Sequence, residues 1–444
     1  MSAPAPAGSA ALLRVVGRWD MVALVINGIV GAGIFGLPQK VHALLGAWGL
    51  LAIVACAVLM GFIVACFAEV SSRYTQTGGP YVYAADAFGP FTAFVVGWLL
   101  WLARVTGLCA ITGVLAEYLS FLIPAVGSGL PRGALITLVI AALAWLHVRG
   151  TRGATRFGSA ITIAKLAPLL LFVIVGLPHI DAARLDFTVQ PETQNFSAAV
   201  LLLGFAFVGW ETALVAAGEM RDPRRDAPFS LGVGLAGVAA LYVAIQAVCI
   251  GTLPDLAASE RPLADAALTF LGPAGATLIV VGAVISMLGT INGGVLAISR
   301  IPFAMAEARQ LPQVLAAVHP VHRTPVLAIL TSCGVVLLLT LTRGHIYLLT
   351  ISTISRLFVF ALTIVALPLF RRRPATTPAL FMLPGGLLIP GVALAMIGWL
   401  LLNTSWRETR DVLIATIVGA LLYVIGRIAQ RDHGTNHATD SAAS

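Results

Sequence analysis

The stretch "NGIVGAGIFGLP", residues 27–38, lies inside an apolar segment that is long enough to cross a membrane. Four of its twelve residues are glycine, and a proline ends it. Glycine weakens a helix interior because it loses the most conformational freedom on ordering. The pattern therefore indicates either a close approach of two helices or an unwound membrane helix whose free N–H groups meet an anionic ligand.

The composition of the chain is that of a membrane protein. Its 444 residues are 59% hydrophobic and 10% charged, with a mean hydropathy of +0.96. Apolar runs of about 20 residues recur along the chain, as expected of membrane helices. The net charge of +8 is spread in short clusters between these runs. That distribution does not indicate a nucleic-acid-binding face, so no nucleic-acid partner is predicted.

The apolar runs predict an all-α membrane protein with twelve spans. They fall at 20–43, 47–69, 91–123, 133–149, 158–177, 197–219, 229–251, 274–300, 325–342, 346–370, 385–403 and 409–428. We divide the chain into four regions: an N-terminal tail (1–19), a transport core (20–370), spans 11 and 12 (371–428) and a C-terminal tail (429–444).

The orientation follows from the placement of lysine and arginine. With the N-terminus inside, the cytoplasmic segments hold sixteen of these residues and the outer segments hold seven. The excess of positive charge on one side predicts that both termini are cytoplasmic. Four more basic residues fall inside predicted spans: Arg104, Lys165, Arg300 and Arg356. A charged side chain inside a membrane has a high free-energy cost, so each of these residues is a candidate for a functional role.

A second interrupted helix is expected five spans after the first, because transporters with inverted repeats carry broken helices at matching positions. Span 6 contains Gly204 and Gly209 around Phe205–Val208, followed by Glu211 at mid-depth. This match favours a transporter over simple close packing.

Four motifs resemble the amino acid–polyamine–organocation superfamily of transporters. They are "GIVGAGIFGLP" (28–38), "GGPYVYAADAFGPFTAFVVGW" (78–98), "FVGWETALVAAGEMRDPRRDAP" (207–228) and "SRIPFAMAEARQLP" (299–312). The resemblance implies a five-plus-five inverted repeat with broken helices 1 and 6, two further spans, and substrates that are amino acids or related amines.

The resemblance also implies a substrate site at the two breaks. The substrate carboxylate would lie on Gly31, Ala32 and Gly33, where backbone N–H groups can hold an anion. The substrate amino group would meet carbonyls near Ile26 and Asn27 and at span 6. The span 6 candidates are Phe205, Ala206, Phe207 and Val208, with Phe205 closing over the substrate unless it serves only in packing.

Two ionisable residues are candidates for coupling. Lys165 either extends to the lipid headgroups or, as the resemblance implies, replaces the sodium ion of related transporters and contacts the unwound part of span 1. Proton loss from this lysine would then belong to the transport cycle. Glu211 is either a proton-responsive group or a structural polar plug, and Arg104 is expected to pair with it or else to line the cavity.

The candidate pocket residues are small or apolar, which favours neutral amino acids over cationic amino acids or polyamines as substrates. Symport with protons and exchange of substrates remain open, and a non-transporting receptor is a further alternative. No enzyme is expected, because no His, Asp or Glu residues cluster at membrane depth.

Cofactors and partners follow from the same residues. The five cysteines lie in apolar runs without metal-ligand spacing, so no disulfide, metal or cofactor is expected. The loop at 124–132 has no cysteine, and a disulfide-linked subunit is therefore not expected. The expected partners are an amino acid, protons and the lipid bilayer, and the expected location is a bacterial inner membrane.

Overall fold

A computed structural model describes residues 17–74, 79–149, 165–211, 214, 222–373 and 379–440. These residues form α-helices and short 3-10 helices, and they contain no β-strand. The α-helices are α1 (Arg18–Ile29), α2 (Ala32–Gly36), α3 (Pro38–Leu45), α4 (Gly49–Ser71), α5 (Pro80–Phe88), α6 (Pro90–Leu119), α7 (Gly129–Arg149), α8 (Leu166–Gly176), α9 (Thr193–Ala206), α10 (Pro223–Thr252), α11 (Pro262–Glu307), α12 (Val326–Thr342), α13 (His345–Arg372), α14 (Leu388–Leu402) and α15 (Trp406–Asp440).

The prediction of an all-helical protein is confirmed for the described residues. Among them, eight helical stretches are long and apolar enough to cross a membrane, and four shorter apolar helices accompany them. Large apolar side chains lie on the outer surface, as for Leu402, which is 87% exposed. The predicted spans 158–177 and 197–219 lie partly outside the described residues, and the count of twelve spans remains a prediction.

Two helices begin where the sequence indicated loops. Helix α5 follows Gly79 with Pro80 in its first turn, and Gly89, whose φ of 88° disfavours other residues, ends it. Helix α11 begins at Pro262 and bends at Gly272, which has a φ of 67°. Proline fits a first helical turn because its missing N–H would have no helical partner there. Both helices begin with such a proline.

Helix α6 lies at the centre of the molecule and packs mainly against α13 and α11. The hydroxyl of Ser352 on α13 donates to the carbonyl of Ala103 at 2.6 Å. On the α11 side, a Cβ added to Gly294 would lie 2.3 Å from the Leu108 side chain, which would then have to shift. Helix α10 packs against α1 and α4.

An ion pair with a buried carboxylate ties the end of α4 to the end of α13. Glu69 is fully buried and accepts hydrogen bonds from the Nε of Arg371 at 2.7 Å and from the backbone N–H of Leu383 at 2.9 Å. Arg73 lies 3.4 Å from the same carboxylate. The pair therefore joins α4, α13 and the segment before α14.

We predict that Glu69→Ala lowers the free energy of unfolding by about 3 kcal/mol, because it leaves the Arg371 guanidinium without its buried partner. The matched control is Arg225→Gln, which removes an exposed ion pair with Asp222 at 3.8 Å. The control should change stability by less than about 1 kcal/mol. Denaturant unfolding in detergent micelles measures both, and equal effects would contradict the prediction.

Candidate functional site

The first membrane segment is interrupted between α1 and α2. Helix α1 ends when the N–H of Val30 donates to the carbonyl of Ile26 at 2.8 Å, and Val30 and Gly31 then adopt extended backbone conformations. The interruption lies within the glycine-rich stretch that the sequence singles out. The last carbonyls of a helix have no partner within it, so side chains or ligands must satisfy them.

Lys165 satisfies two of these carbonyls. Its ammonium donates to the carbonyl of Asn27 at 2.6 Å and to that of Val30 at 2.7 Å. The residue immediately precedes α8 and is only 2% exposed. The ammonium therefore binds at the interruption of the first segment and does not extend to the lipid headgroups, and it lies at the negative end of α1.

The second interruption follows α9, which ends at Ala206. Residues 207–210 are not helical, and Gly209 has a φ of 110°. A Cβ added to Gly209 would lie 2.1 Å from the carbonyl oxygen of Gly28, so the two interrupted segments touch there. They touch again at Gly33, whose added Cβ would lie 2.7 Å from the Cα of Ala206.

A small cavity adjoins this contact at Gly33 and is lined by some of the predicted substrate residues. Ala32, Gly33 and Phe205 line it together, whereas Ile26, Gly31, Ala206, Phe207 and Val208 do not. Its other lining residues are Gly36, Leu37, Ala110, Val114, His345, Ile346 and Leu349. Apart from His345, these side chains are apolar or absent, so the wall of the cavity can contact an aliphatic group.

The two phenylalanines of span 6 have different surroundings. Phe205 lies against the cavity and close to Gly107 of α6, where an added Cβ would be 3.4 Å from its ring. Phe207 is fully buried and packs edge-on against Tyr242, with ring centroids 5.2 Å apart. Phe205 is therefore the aromatic residue of this segment that borders the cavity.

Glu211 is fixed by groups on two segments. The N–H of Gly209 donates to its Oε2 at 2.8 Å, and Arg356 of α13 forms a buried ion pair with its Oε1. The sequence favoured Arg104 as the partner, but within the described ranges the ion pair of Glu211 is with Arg356. Arg104 lies within electrostatic range of both groups. Arg356 lies 145 residues from Glu211 along the chain.

Tyr242 of α10 is a site residue that the sequence analysis missed. Its hydroxyl lies 3.1 Å from the carbonyl of Ile29 and 3.1 Å from that of Ala206, so it contacts the ends of both interrupted helices. No motif marks it, because a tyrosine in an apolar span has no distinguishing signal. Its significance depends on two backbone groups that are remote in sequence.

Metal ligands do not gather in the part of the chain that the structure describes. No group of three His, Cys, Asp or Glu side chains there could hold a metal ion. All five cysteines are buried and free. The charged groups that the structure brings near the interruptions include Lys165, Glu211, Arg356 and Arg104.

Comparison with known proteins matches nearly the whole chain to one family. Residues 16–423 match the family described as amino acid permease. The chain is 30% identical to the serine/threonine exchanger SteT of Bacillus subtilis, over 92% of this chain and 95% of that protein. It is 27% identical to the branched-chain amino acid permease BcaP of the same organism, over 95% and 94%. It is 28% identical to the human large neutral amino acids transporter small subunit 2, over 90% and 77%.

We predict that Gly209→Ala destabilises the protein by at least about 2 kcal/mol, because alanine disfavours this φ and its methyl group would collide with Gly28. The matched control is Gly237→Ala in α10, where an added Cβ has no neighbour within 4 Å. Thermal unfolding of the purified variants measures both. A stable Gly209→Ala variant would contradict the close contact of the two segments.

Proposed function

Because the chain belongs to the amino acid permease family, we propose that it is a sodium-independent secondary transporter of amino acids, working by alternating access with proton coupling. The family and its relatives are transporters and permeases, not enzymes. Multi-pass membrane insertion agrees with the long apolar helices. The finer points of mechanism and substrate are inferred from the site.

The observation that carries the proposal is the position of the Lys165 ammonium. It lies 2.6 Å and 2.7 Å from two carbonyls that flank the interruption of the first segment. Carbonyl oxygens at a helix C-terminus attract a cation, and in an alternating-access carrier this is where a sodium ion would bind. A fixed ammonium occupies the same electrostatic position, so transport needs no sodium. Loss and gain of its proton during the cycle would couple transport to protons, with Glu211 as a second proton-responsive group.

The proposed substrate site lies at the two interruptions. Its carboxylate would lie on the backbone of Gly31, Ala32 and Gly33, and its ammonium would meet the carbonyls of Ile26 and Phe205–Val208. The shared cavity of Ala32, Gly33 and Phe205 supports this placement. Since the Ile26 carbonyl already accepts the N–H of Val30, the ammonium would share that acceptor.

Neutral amino acids are the proposed substrates. The cavity wall is mainly apolar, and the nearby carboxylate of Glu211 is held by Arg356. A cationic side chain would therefore meet no free carboxylate among the described residues that line the cavity. The printed names of the relatives, which act on serine and threonine, branched-chain amino acids or large neutral amino acids, support the same class.

The proposed topology has twelve spans, with spans 1–10 forming two inverted five-span repeats. Both termini would face the cytoplasm, in a bacterial inner membrane. The interruptions of the first segment and of α9 support the repeat, and the excess of arginine in the proposed cytoplasmic loops supports the orientation. No disulfide-linked subunit is proposed, since the outer loop at 124–132 contains no cysteine.

We predict that purified protein in sodium-free proteoliposomes accumulates labelled neutral amino acids when an inward proton gradient is imposed. A protonophore should abolish accumulation, because proton entry would supply the driving force. The panel should include neutral and cationic amino acids and a polyamine. Initial uptake rates, compared with those of protein-free liposomes, measure the effect.

The other outcomes separate the alternatives. Uptake that requires internal amino acid and ignores the protonophore would identify an exchanger, the activity named for one relative. Uptake of cationic amino acids or polyamines alone would overturn the neutral substrate class. Absence of transport under every condition would contradict the proposal and favour a receptor.

A further inference from the structure

Among the described residues that line the small cavity, His345 alone has a polar side chain. It is the first residue of α13, and its side chain is 20% exposed. Helix α6 packs directly against it, because a Cβ added to Gly113 would lie 2.7 Å from the Cβ of His345. The imidazole is therefore held against α6 at the wall of the cavity.

The carboxylate of Glu117 lies beside one of the two ring nitrogens of His345. Its Oε1 is 3.3 Å from Nδ1 of the imidazole and 3.7 Å from Nη2 of Arg132 on α7. Arg132 also donates to the carbonyl of Gly113 at 3.3 Å, so the carboxylate and the arginine are both fixed to α6. Because a carboxylate can only accept a hydrogen bond, it favours the neutral imidazole that has its proton on Nδ1.

The other ring nitrogen of His345, Nε2, has no hydrogen-bond partner among the described residues. With the proton on Nδ1, Nε2 is an acceptor, and in the charged imidazole it is a donor. Nε2 is thus the side-chain atom of the described cavity wall that is available for a hydrogen bond to a ligand.

The cavity adjoins the proposed substrate site. Ala32 and Gly33 belong to the proposed carboxylate site and Phe205 to the proposed ammonium site, and all three line the cavity with His345. A substrate whose carboxylate and ammonium bind at the interruptions would therefore extend its side chain into the cavity. The polar atom that this side chain can meet there belongs to His345.

We propose that His345 determines specificity by selecting neutral amino acids whose short side chain carries a hydroxyl group. A hydroxyl both donates and accepts, so it can bind Nε2 in either protonation state of the ring. An aliphatic side chain of the same shape would cover Nε2 without a hydrogen bond, and a buried polar atom without a partner is unfavourable. The inference rests on the proposed function and narrows its substrate class.

Threonine and valine test this inference, because they have nearly the same shape and differ by one hydroxyl. We predict that the wild type transports threonine with a kcat/KM about tenfold above that for valine, since the unpaired Nε2 discriminates against the isostere. His345→Phe keeps an aromatic ring, removes both nitrogens and should bring this ratio close to one. His345→Gln keeps a donor and an acceptor and should retain most of the preference.

The matched control is Leu349→Ile. Leu349 lines the same cavity, and the substitution changes the shape of the wall without adding or removing a polar atom. The ratio for threonine over valine should therefore equal that of the wild type. Initial rates of uptake of the two labelled amino acids into proteoliposomes, over a range of concentrations, measure the ratio, with internal amino acid supplied if exchange requires it.

A wild type that transports valine as well as threonine would overturn the inference and leave the proposed function intact. A threonine preference that persists in His345→Phe, or one that is lost equally in Leu349→Ile, would also overturn it. Absence of amino acid transport by the wild type would instead contradict the proposed function.

A second measurement needs no transport. Dissociation constants of threonine and valine, measured by calorimetry on the protein in detergent micelles, should give the same tenfold preference for the wild type and none for His345→Phe. His345→Leu removes the same nitrogens and replaces His345→Phe if that variant does not fold. Equal affinities of the wild type for the two amino acids would overturn the inference.

Discussion

The structure depends on how the protein satisfies the backbone carbonyls that are freed where the first membrane segment is interrupted. In a membrane no water is available to accept or donate hydrogen bonds to an exposed backbone group. Lys165 binds the carbonyls of Asn27 and Val30, and Tyr242 contacts that of Ile29. The break is therefore stabilised by Lys165, immediately before α8, and by Tyr242 of α10. Loss of one of these contacts would alter the backbone of the proposed substrate site, because that site lies at the interruption.

The second interruption is positioned by contact with the first. Gly33 lies against Ala206, and Gly209 lies against the carbonyl of Gly28, so neither segment can move far without the other. The ion pair of Glu211 with Arg356 then attaches this assembly to α13. The same pair occupies the carboxylate that a cationic substrate would need. In the proposed site, these contacts would link the packing at the two breaks to the class of substrate.

The sequence predicted those features that a local pattern can reveal. The glycine-rich stretch marked the first interruption, and a charge inside a predicted span drew attention to Lys165. Long-range pairing was less accessible, because Arg356, the ion-pair partner of Glu211, lies 145 residues away along the chain. Tyr242 carried no signal, because its role arises from carbonyls 213 and 36 residues away. The short helix α5 was missed since nine residues are too few to produce a membrane-span pattern.

Sodium dependence of the initial uptake rate tests the central claim most directly. The measurement compares the wild type with Lys165→Met and Lys40→Met, in sodium and with sodium replaced by choline. Lys40 is the only other lysine of the chain and is exposed, so it provides the matched control. The account predicts equal rates with and without sodium for the wild type and for Lys40→Met, and loss of transport in Lys165→Met. Sodium-stimulated uptake by the wild type, or unchanged transport by Lys165→Met, would contradict it.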